Sequence, residues 1–119
     1  MKFSLPFFKP APPSLVEDLN VEAVYALYTK PSDDLVFIDV RQPEEWREGV
    51  IPGSVKISLG ALNSHLHTLE KDKHYILVCR SGNRSGTAAQ MMEIAGFQRL
   101  ANFQGGMLAW NSRRYPVAR

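Results

Sequence analysis

The sequence predicts an α/β fold: a mainly parallel sheet with helices on both faces. Three observations carry this reading. Leu35-Val-Phe-Ile-Asp-Val40 and His74-Tyr-Ile-Leu-Val78 are apolar runs of strand length, the pattern of strands buried on both faces. Segments with helix start and stop signals alternate with the strand segments, which implies right-handed crossovers between parallel neighbours. The two strongest strands also end in polar residues, Asp39 and Arg41 in one case and Cys79 in the other. Ligands of such sheets bind outside the carboxyl ends of the strands.

The elements follow in order. Leu15 to Leu19 suits a short edge strand, and Asn20 is placed to cap a helix from Val21 to about Thr29, with Glu22 near its positive end and Pro31 as its stop. After the Leu35–Val40 strand, Pro43 to Glu48 reads as a short helix with proline in its first turn, acids early and Gly49 as terminator. Ile51-Pro52-Gly53 forces a turn, Ser54 to Ile57 can form a short strand, and Leu59 to Leu69 has the pattern of an amphipathic helix. The His74–Val78 strand is followed by a helix from Ser85 to Ala95, whose small residues Gly86, Ala88, Ala89 and Ala95 permit close packing on a sheet. Gly96 supplies a left-handed cap, with Phe97 placed for the accompanying apolar contact. Arg99 to Phe103 suits a last strand and Gly105 to Asn111 a last helix, before Tyr115-Pro116-Val117 closes the chain.

At 119 residues the chain has the length of one domain and can bury a core without staples. It is 45% hydrophobic and 22% charged, with a mean hydropathy of −0.20. A net charge of +2 is too small to imply nucleic-acid binding. Residues 1–13 hold four of the eight prolines together with Phe3, Leu5, Phe7 and Phe8, and read as a tail preceding a domain at 14–119. Pro6, Lys9 and Pro10 interrupt any signal-peptide core, and no run approaches the ~20 apolar residues of a membrane span. Cys79 is the only cysteine, which excludes an internal disulfide and a multi-cysteine zinc site and fits a reducing, cytoplasmic location. No metal and no cofactor are expected.

Cys79 stands where a buried strand breaks into Arg80-Ser81-Gly82-Asn83-Arg84-Ser85-Gly86. In a strand-loop-helix unit, with Gly82 and Asn83 free to take left-handed backbone angles, successive N–H groups can turn inward as an anion-binding nest centred on the sulfur. The following helix terminus, Arg80 and Arg84 all favour thiolate over thiol, and no carboxylate lies between His74 and Gln90 to oppose them. Cys79 is therefore the candidate nucleophile, able to attack electrophilic sulfur or phosphorus. Spacing separates the two chemistries. Cysteine phosphatases, and arsenate reductases on the same loop, need an arginine six residues after the cysteine to fork onto two phosphoryl oxygens. Here Ser85 occupies that position, Arg84 comes one residue early, Val78 precedes the cysteine, and the loop has no acid to protonate a leaving alcohol.

Four stretches extend the pattern beyond the loop: Asp39-Val-Arg41-Gln-Pro43-Glu-Glu-Trp46, Gly49-Val-Ile-Pro52-Gly53-Ser, Cys79-Arg-Ser-Gly-Asn-Arg-Ser85, and Phe103-Gln-Gly105-Gly106-Met-Leu-Ala-Trp110 with Tyr115-Pro116. In this order and spacing the chain resembles the single-domain rhodaneses, sulfurtransferases that carry sulfane sulfur as a cysteine persulfide. The resemblance covers roughly residues 15 to 118. It implies a five-stranded sheet with Cys79 in a six-residue active loop and ping-pong transfer. The Cys79 thiolate would take the outer sulfur of thiosulfate or another persulfide donor, and a nucleophile would then collect it. The loop residues Arg80, Ser81, Gly82, Asn83, Arg84 and Ser85 would bind the anionic donor and the persulfide, with Asp39 and Arg41 bracing the loop by hydrogen bonds. With no second cysteine the acceptor must come from outside: cyanide in an assay, and in a cell a low-molecular thiol, thioredoxin or a sulfur-accepting protein.

Two departures stand out. The family often has His where this chain has Val50, near the mouth. The two-domain thiosulfate enzymes carry a lysine where this chain has Ser81, which argues against a strong thiosulfate preference unless Arg84 supplies the missing charge. Two other readings differ in class, a phosphatase or arsenate reductase and a non-catalytic docking module. His65 and His67 are two apart on a helix, share no face and read as surface. His74 reads as structural, Met91 and Met92 as core, and Trp46 and Trp110 as packing anchors.

Overall fold

The structure is a computed structural model that describes residues 14–119; the tail expected at 1–13 lies outside the described residues. Among the described residues five parallel strands form one sheet in the order β1-β5-β4-β2-β3. They are β1 (Val16–Leu19), β2 (Leu35–Asp39), β3 (Val55–Lys56), β4 (His74–Val78) and β5 (Leu100–Phe103). The helices are α1 (Val21–Thr29), α2 (Pro43–Trp46), α3 (Leu62–His65), α4 (Asn83–Ile94) and α5 (Gly106–Ser112). The predicted fold class and the alternation of elements are those of the molecule.

Alternate residues of a strand face opposite sides of the sheet, and both sides here are covered, which is why β4 reads as an unbroken apolar run. Tyr75 and Leu77 pack with Leu62 of α3 and with Ala88, Ala89 and Met92 of α4. Ile76 and Val78 pack on the other side with Val21 and Val24 of α1 and Met107 and Trp110 of α5. Trp110 is fully buried and its indole N–H donates to the Pro116 carbonyl at 2.8 Å. Tyr115 stacks on Tyr25 at 3.7 Å. These contacts fasten the C-terminal segment, which then pairs Ala118 with Val50 through two backbone hydrogen bonds of 2.8 and 2.9 Å.

Caps account for the helix ends. The Asn20 side chain accepts the Ala23 N–H at 2.9 Å and starts α1. At the far end of α4, Gly96 takes φ +100°, its N–H donates to the Glu93 carbonyl and the Phe97 N–H donates to that of Met92. This is the paired C-terminal cap expected from Gly96-Phe97.

The expected helix over Leu59–Leu69 is not continuous. Leu59–Ala61 and Leu66–Thr68 are 3₁₀ turns flanking the four-residue α3. The polar residues explain the break: Ser64 Oγ and Thr68 Oγ1 donate to the carbonyls of Ala61 and His65, and the His65 ring nitrogen meets the Ala61 carbonyl at 2.9 Å. Side chains that bond to nearby backbone compete with the α-helical ladder. α4 also begins earlier than expected, at Asn83, so Asn83, Arg84 and Ser85 lie in its first turn.

Candidate active site

β2 and β4 are neighbours in register, with Asp39 opposite Val78, so their carboxyl ends are level and the residues after them meet above the sheet. The loop from Cys79 to Gly82 turns into α4, and Gly82, at φ +109°, is the left-handed residue that makes the turn. Asn83, expected to share that conformation, is helical. The loop is clamped from α5. The Met107 and Leu108 N–H groups donate to the carbonyls of Cys79 and Arg80 at 2.9 and 3.0 Å, and the Gly105 N–H donates to that of Ser81 at 3.3 Å. This approach explains the glycine pair. A Cβ on Gly106 would stand 2.4 Å from the Cys79 carbonyl oxygen and 2.6 Å from that of Arg80.

Cys79 is 1% exposed. The Gly82 N–H donates to Sγ at 3.0 Å, and Ser85 Oγ, fully buried, lies 3.3 Å away. Burial pushes the thiol pKa up, but the Ser85 hydroxyl and the N–H groups of Ser85, Gly82 and Ser81 push it down and prevail, leaving it below the ordinary 9.0. Part of this was expected: the Gly82 and Ser85 N–H groups belong to the start of α4, and Arg84 and the Cys79 thiolate attract one another, while the Ser85 hydroxyl adds the largest lowering influence.

Ser85 has a second partner that the sequence did not point to. Its hydroxyl donates to Asn102 Oδ1 at 2.5 Å, while Asn102 Nδ2 donates to the Gly82 carbonyl at 3.1 Å and to Asp18 at 3.3 Å. Both of the latter groups are acceptors, so the orientation of the Asn102 amide is fixed and Oδ1 must face Ser85. The single Ser85 proton is therefore shared between Asn102 and the sulfur: turned to Asn102 it leaves Oγ to accept from a thiol, and turned to Sγ it supports a thiolate. Asn102, in β5 and opposite Leu77 of β4, thus ties both ends of the loop to the sheet.

The arginines are differently placed. Arg84, expected to meet the donor anion, makes a two-pronged ion pair with Glu45 of α2, Nη1 to Oε1 at 2.7 Å and Nη2 to Oε2 at 2.9 Å. Hydrogen bonding from Arg84 holds the Glu45 carboxyl at about 2, well below its ordinary 4.5. The absence of acids near Arg84 in sequence was misleading, because this carboxylate comes from 39 positions earlier. Arg80 is exposed, and among the described residues no carboxylate lies within ion-pair distance of it.

Asp39 and Arg41, expected to brace the loop directly, form a buried two-pronged pair with each other, with Nη2 to Oδ2 at 2.8 Å. Arg41 also donates to the Gly49 carbonyl at 2.7 Å, and the Trp46 indole donates to Asp39 at 3.2 Å. Their bonds fix α2, and α2 in turn presents Glu45 to Arg84. Beside the loop lies a cavity of about 220 Å³ lined by Arg41, Glu45, Glu48, Arg80, Met107 and Leu108 with Asn111. Val50 is not among its walls: it is buried and bridged to Ala118. Ser81 is exposed on the loop, and His65 and His67 are exposed far from it in sequence and fold.

Comparison with known proteins agrees with this architecture. Residues 20–113 match the family model described as Rhodanese-like domain. A Bacillus subtilis protein provisionally assigned as a sulfurtransferase, YtwF, is 42% identical over 84 residues, covering 71% of this chain and 81% of that protein. A sulfurtransferase of Allochromatium vinosum is 29% identical over 86 residues, covering 72% and 80%. Among solved structures, a rhodanese-related protein from Thermoplasma volcanium superposes with a TM-score of 0.76 at 29% identity, covering 86% of this chain and 97% of that one. A Rhodopseudomonas palustris protein of unknown function, described as a possible tyrosine phosphatase, superposes with a TM-score of 0.81 at 29% identity, covering 87% and 85%. With a cysteine-centred loop at the carboxyl edge of a five-stranded parallel sheet and a family match over most of its length, the chain belongs to the rhodanese-like family.

Proposed function

We propose that the protein is a sulfurtransferase that moves sulfane sulfur through a persulfide on Cys79. The observation that carries this reading is the sulfur's own environment: a thiol held below its ordinary pKa by the Ser85 hydroxyl and by loop N–H groups, with Gly82 at 3.0 Å. Such a cradle favours a thiolate nucleophile and then offers the same donors to the charge of a persulfide. In the first half-reaction the thiolate attacks the outer sulfur of the donor, the donor's S–S bond breaks, and sulfite or a thiolate leaves with the electron pair. In the second, an acceptor nucleophile attacks the outer sulfur of the persulfide and restores the Cys79 thiolate. Neither half needs a general acid, a metal or an oxidant. Cys79 has no second cysteine to discharge onto, so the acceptor is an external thiol: a low-molecular thiol, thioredoxin or a sulfur-accepting protein. A reducing compartment such as the cytoplasm supplies such thiols and keeps Cys79 free.

In favour of the phosphatase reading stands the structural relative described as a possible tyrosine phosphatase. The loop opposes it. Ser85 stands where the phosphoryl-binding arginine is needed and hydrogen-bonds the sulfur, while Arg84 is engaged by Glu45. A non-catalytic docking module would not need the sulfur cradle. Steady-state thiocyanate formation from thiosulfate and cyanide tests the proposal. Parallel double-reciprocal lines are expected for the wild type, no turnover for Cys79→Ser, and no hydrolysis of an aryl phosphate by either. Phosphate release that depends on Cys79, without thiocyanate formation, would reverse the assignment.

A further inference from the structure

Sulfur transfer as described makes no use of Glu45, yet Glu45 lines the cavity and holds a two-pronged ion pair with Arg84. Its carboxylate takes both prongs of the Arg84 guanidinium, at 2.7 and 2.9 Å, and its Oε1 also accepts the Gln42 N–H at 3.1 Å, so it is fixed from within α2. A guanidinium fork engages the oxygens of carboxylates and of oxyanions in the same planar manner. Glu45 therefore occupies the position that an oxyanion donor would take on Arg84.

Among the described residues, Arg80 is the only arginine beside the cavity that is outside an ion pair, and Glu48 shares the cavity with it. Arg41, Arg80, Glu45 and Glu48 line the cavity, and behind them Asp39 pairs with Arg41 and Arg84 with Glu45, three guanidinium groups against three carboxylates. Arg41 is already engaged by Asp39 at 2.8 Å. The site is thus balanced before the Cys79 thiolate forms and negative afterwards. A dianion such as thiosulfate gains no net attraction there and must displace Glu45 to reach Arg84. Part of the wall is apolar, made by Leu108, which is 49% exposed, with Met107 beneath. A carbon-bearing donor can use that wall while its outer sulfur meets the loop N–H groups, leaving the Glu45–Arg84 pair intact.

We propose that Glu45 is a specificity-determining residue that, by occupying Arg84, selects organic persulfides over thiosulfate as the sulfur donor. This rests on the sulfur-transfer reading above. The step balances without a further reactant: R–S–S⁻ and Cys79–S⁻ give R–S⁻ and Cys79–S–S⁻. One S–S bond breaks, one forms, and the charge is the same on both sides.

The test compares kcat/KM for thiosulfate with kcat/KM for cysteine persulfide in the wild type and in Glu45→Gln. Glutamine keeps the side chain's shape and the oxygen that accepts the Gln42 N–H, and replaces the charged Oε2 that accepts from Arg84 Nη2 with an amide NH2 that cannot. The thiosulfate-to-persulfide ratio is expected to rise about five- to tenfold in Glu45→Gln, mainly through KM for thiosulfate, as the release of a part-buried ion pair implies. In an Arg84→Gln background the same substitution should leave the ratio where it was. A purely structural role for Glu45 would change both donors together, and an unchanged ratio, or a rise that persists without Arg84, overturns the proposal. If the wild type and the variant take sulfur from neither donor, it is the sulfur-transfer reading itself that has failed.

Discussion

At the scale of single residues, the reactivity of Cys79 depends on where one proton sits. Ser85 offers its hydroxyl to the sulfur at 3.3 Å and to Asn102 at 2.5 Å, and its bond to the sulfur is the largest influence lowering the thiol pKa against the effect of burial. Removing it leaves only backbone N–H groups to oppose burial, so Ser85→Ala should raise the Cys79 pKa toward or beyond the ordinary 9.0. The sign follows from the reacting species: alkylation needs the thiolate, whose fraction grows as pH rises through the pKa. The midpoint of the iodoacetamide rate against pH should therefore move to higher pH in Ser85→Ala, and a midpoint that stays or falls would contradict the role given to the hydroxyl. Cys79 and its loop were legible in the sequence because a lone cysteine at the end of an apolar strand is out of place for a packing residue. Glu45 and Asn102 were not, because each meets the loop from another element, 39 positions before Arg84 and 17 after Ser85. Local charge counting sees neither.

At the scale of elements, the site is built by clamping one loop between two strands and the start of α5. The N–H groups of Gly105, Met107 and Leu108 reach the carbonyls of Ser81, Cys79 and Arg80 only because Gly106 has no side chain. Gly106→Ala should push α5 off the loop, costing about 1–3 kcal/mol of stability and reducing Cys79 reactivity along with it. Gly53→Ala is the control. Gly53 has φ +84° but open space around it, so that variant should lose about 1 kcal/mol from backbone strain alone and leave Cys79 unchanged. Urea unfolding with alkylation rates measured on both proteins checks the pair; equal reactivity in the two variants would show that the clamp does not position the loop. Glycines 105 and 106 were legible as a motif, yet the reason for them was contacts between residues far apart in the chain, Met107 with Cys79 and Gly106 with Arg80. Leu59–Leu69 failed in the other direction. Its apolar spacing was read correctly, with Leu62 buried, but hydroxyl and imidazole bonds to the backbone broke the helix that the spacing predicted.

At the scale of the whole molecule, the α/β class follows from unbroken apolar strands alternating with helices, and both were plain in the sequence, whereas the strand order was not. Helices on the two faces use alternate residues of β4, and parallel in-register pairing places the carboxyl ends of β2 and β4 side by side. Everything chemical then depends on what gathers there: a cradled sulfur, a buried Asp39–Arg41 pair that fixes α2, and Glu45 laid across Arg84. The proposed acceptance of sulfur by Cys79 is the step on which all of these roles converge. Intact-mass measurement after incubation with cysteine persulfide or thiosulfate, and removal of excess donor, tests it directly. A gain of about 32 Da is expected on the wild type, discharged by cyanide and absent from Cys79→Ser. A wild-type protein that keeps its original mass with both donors would contradict it.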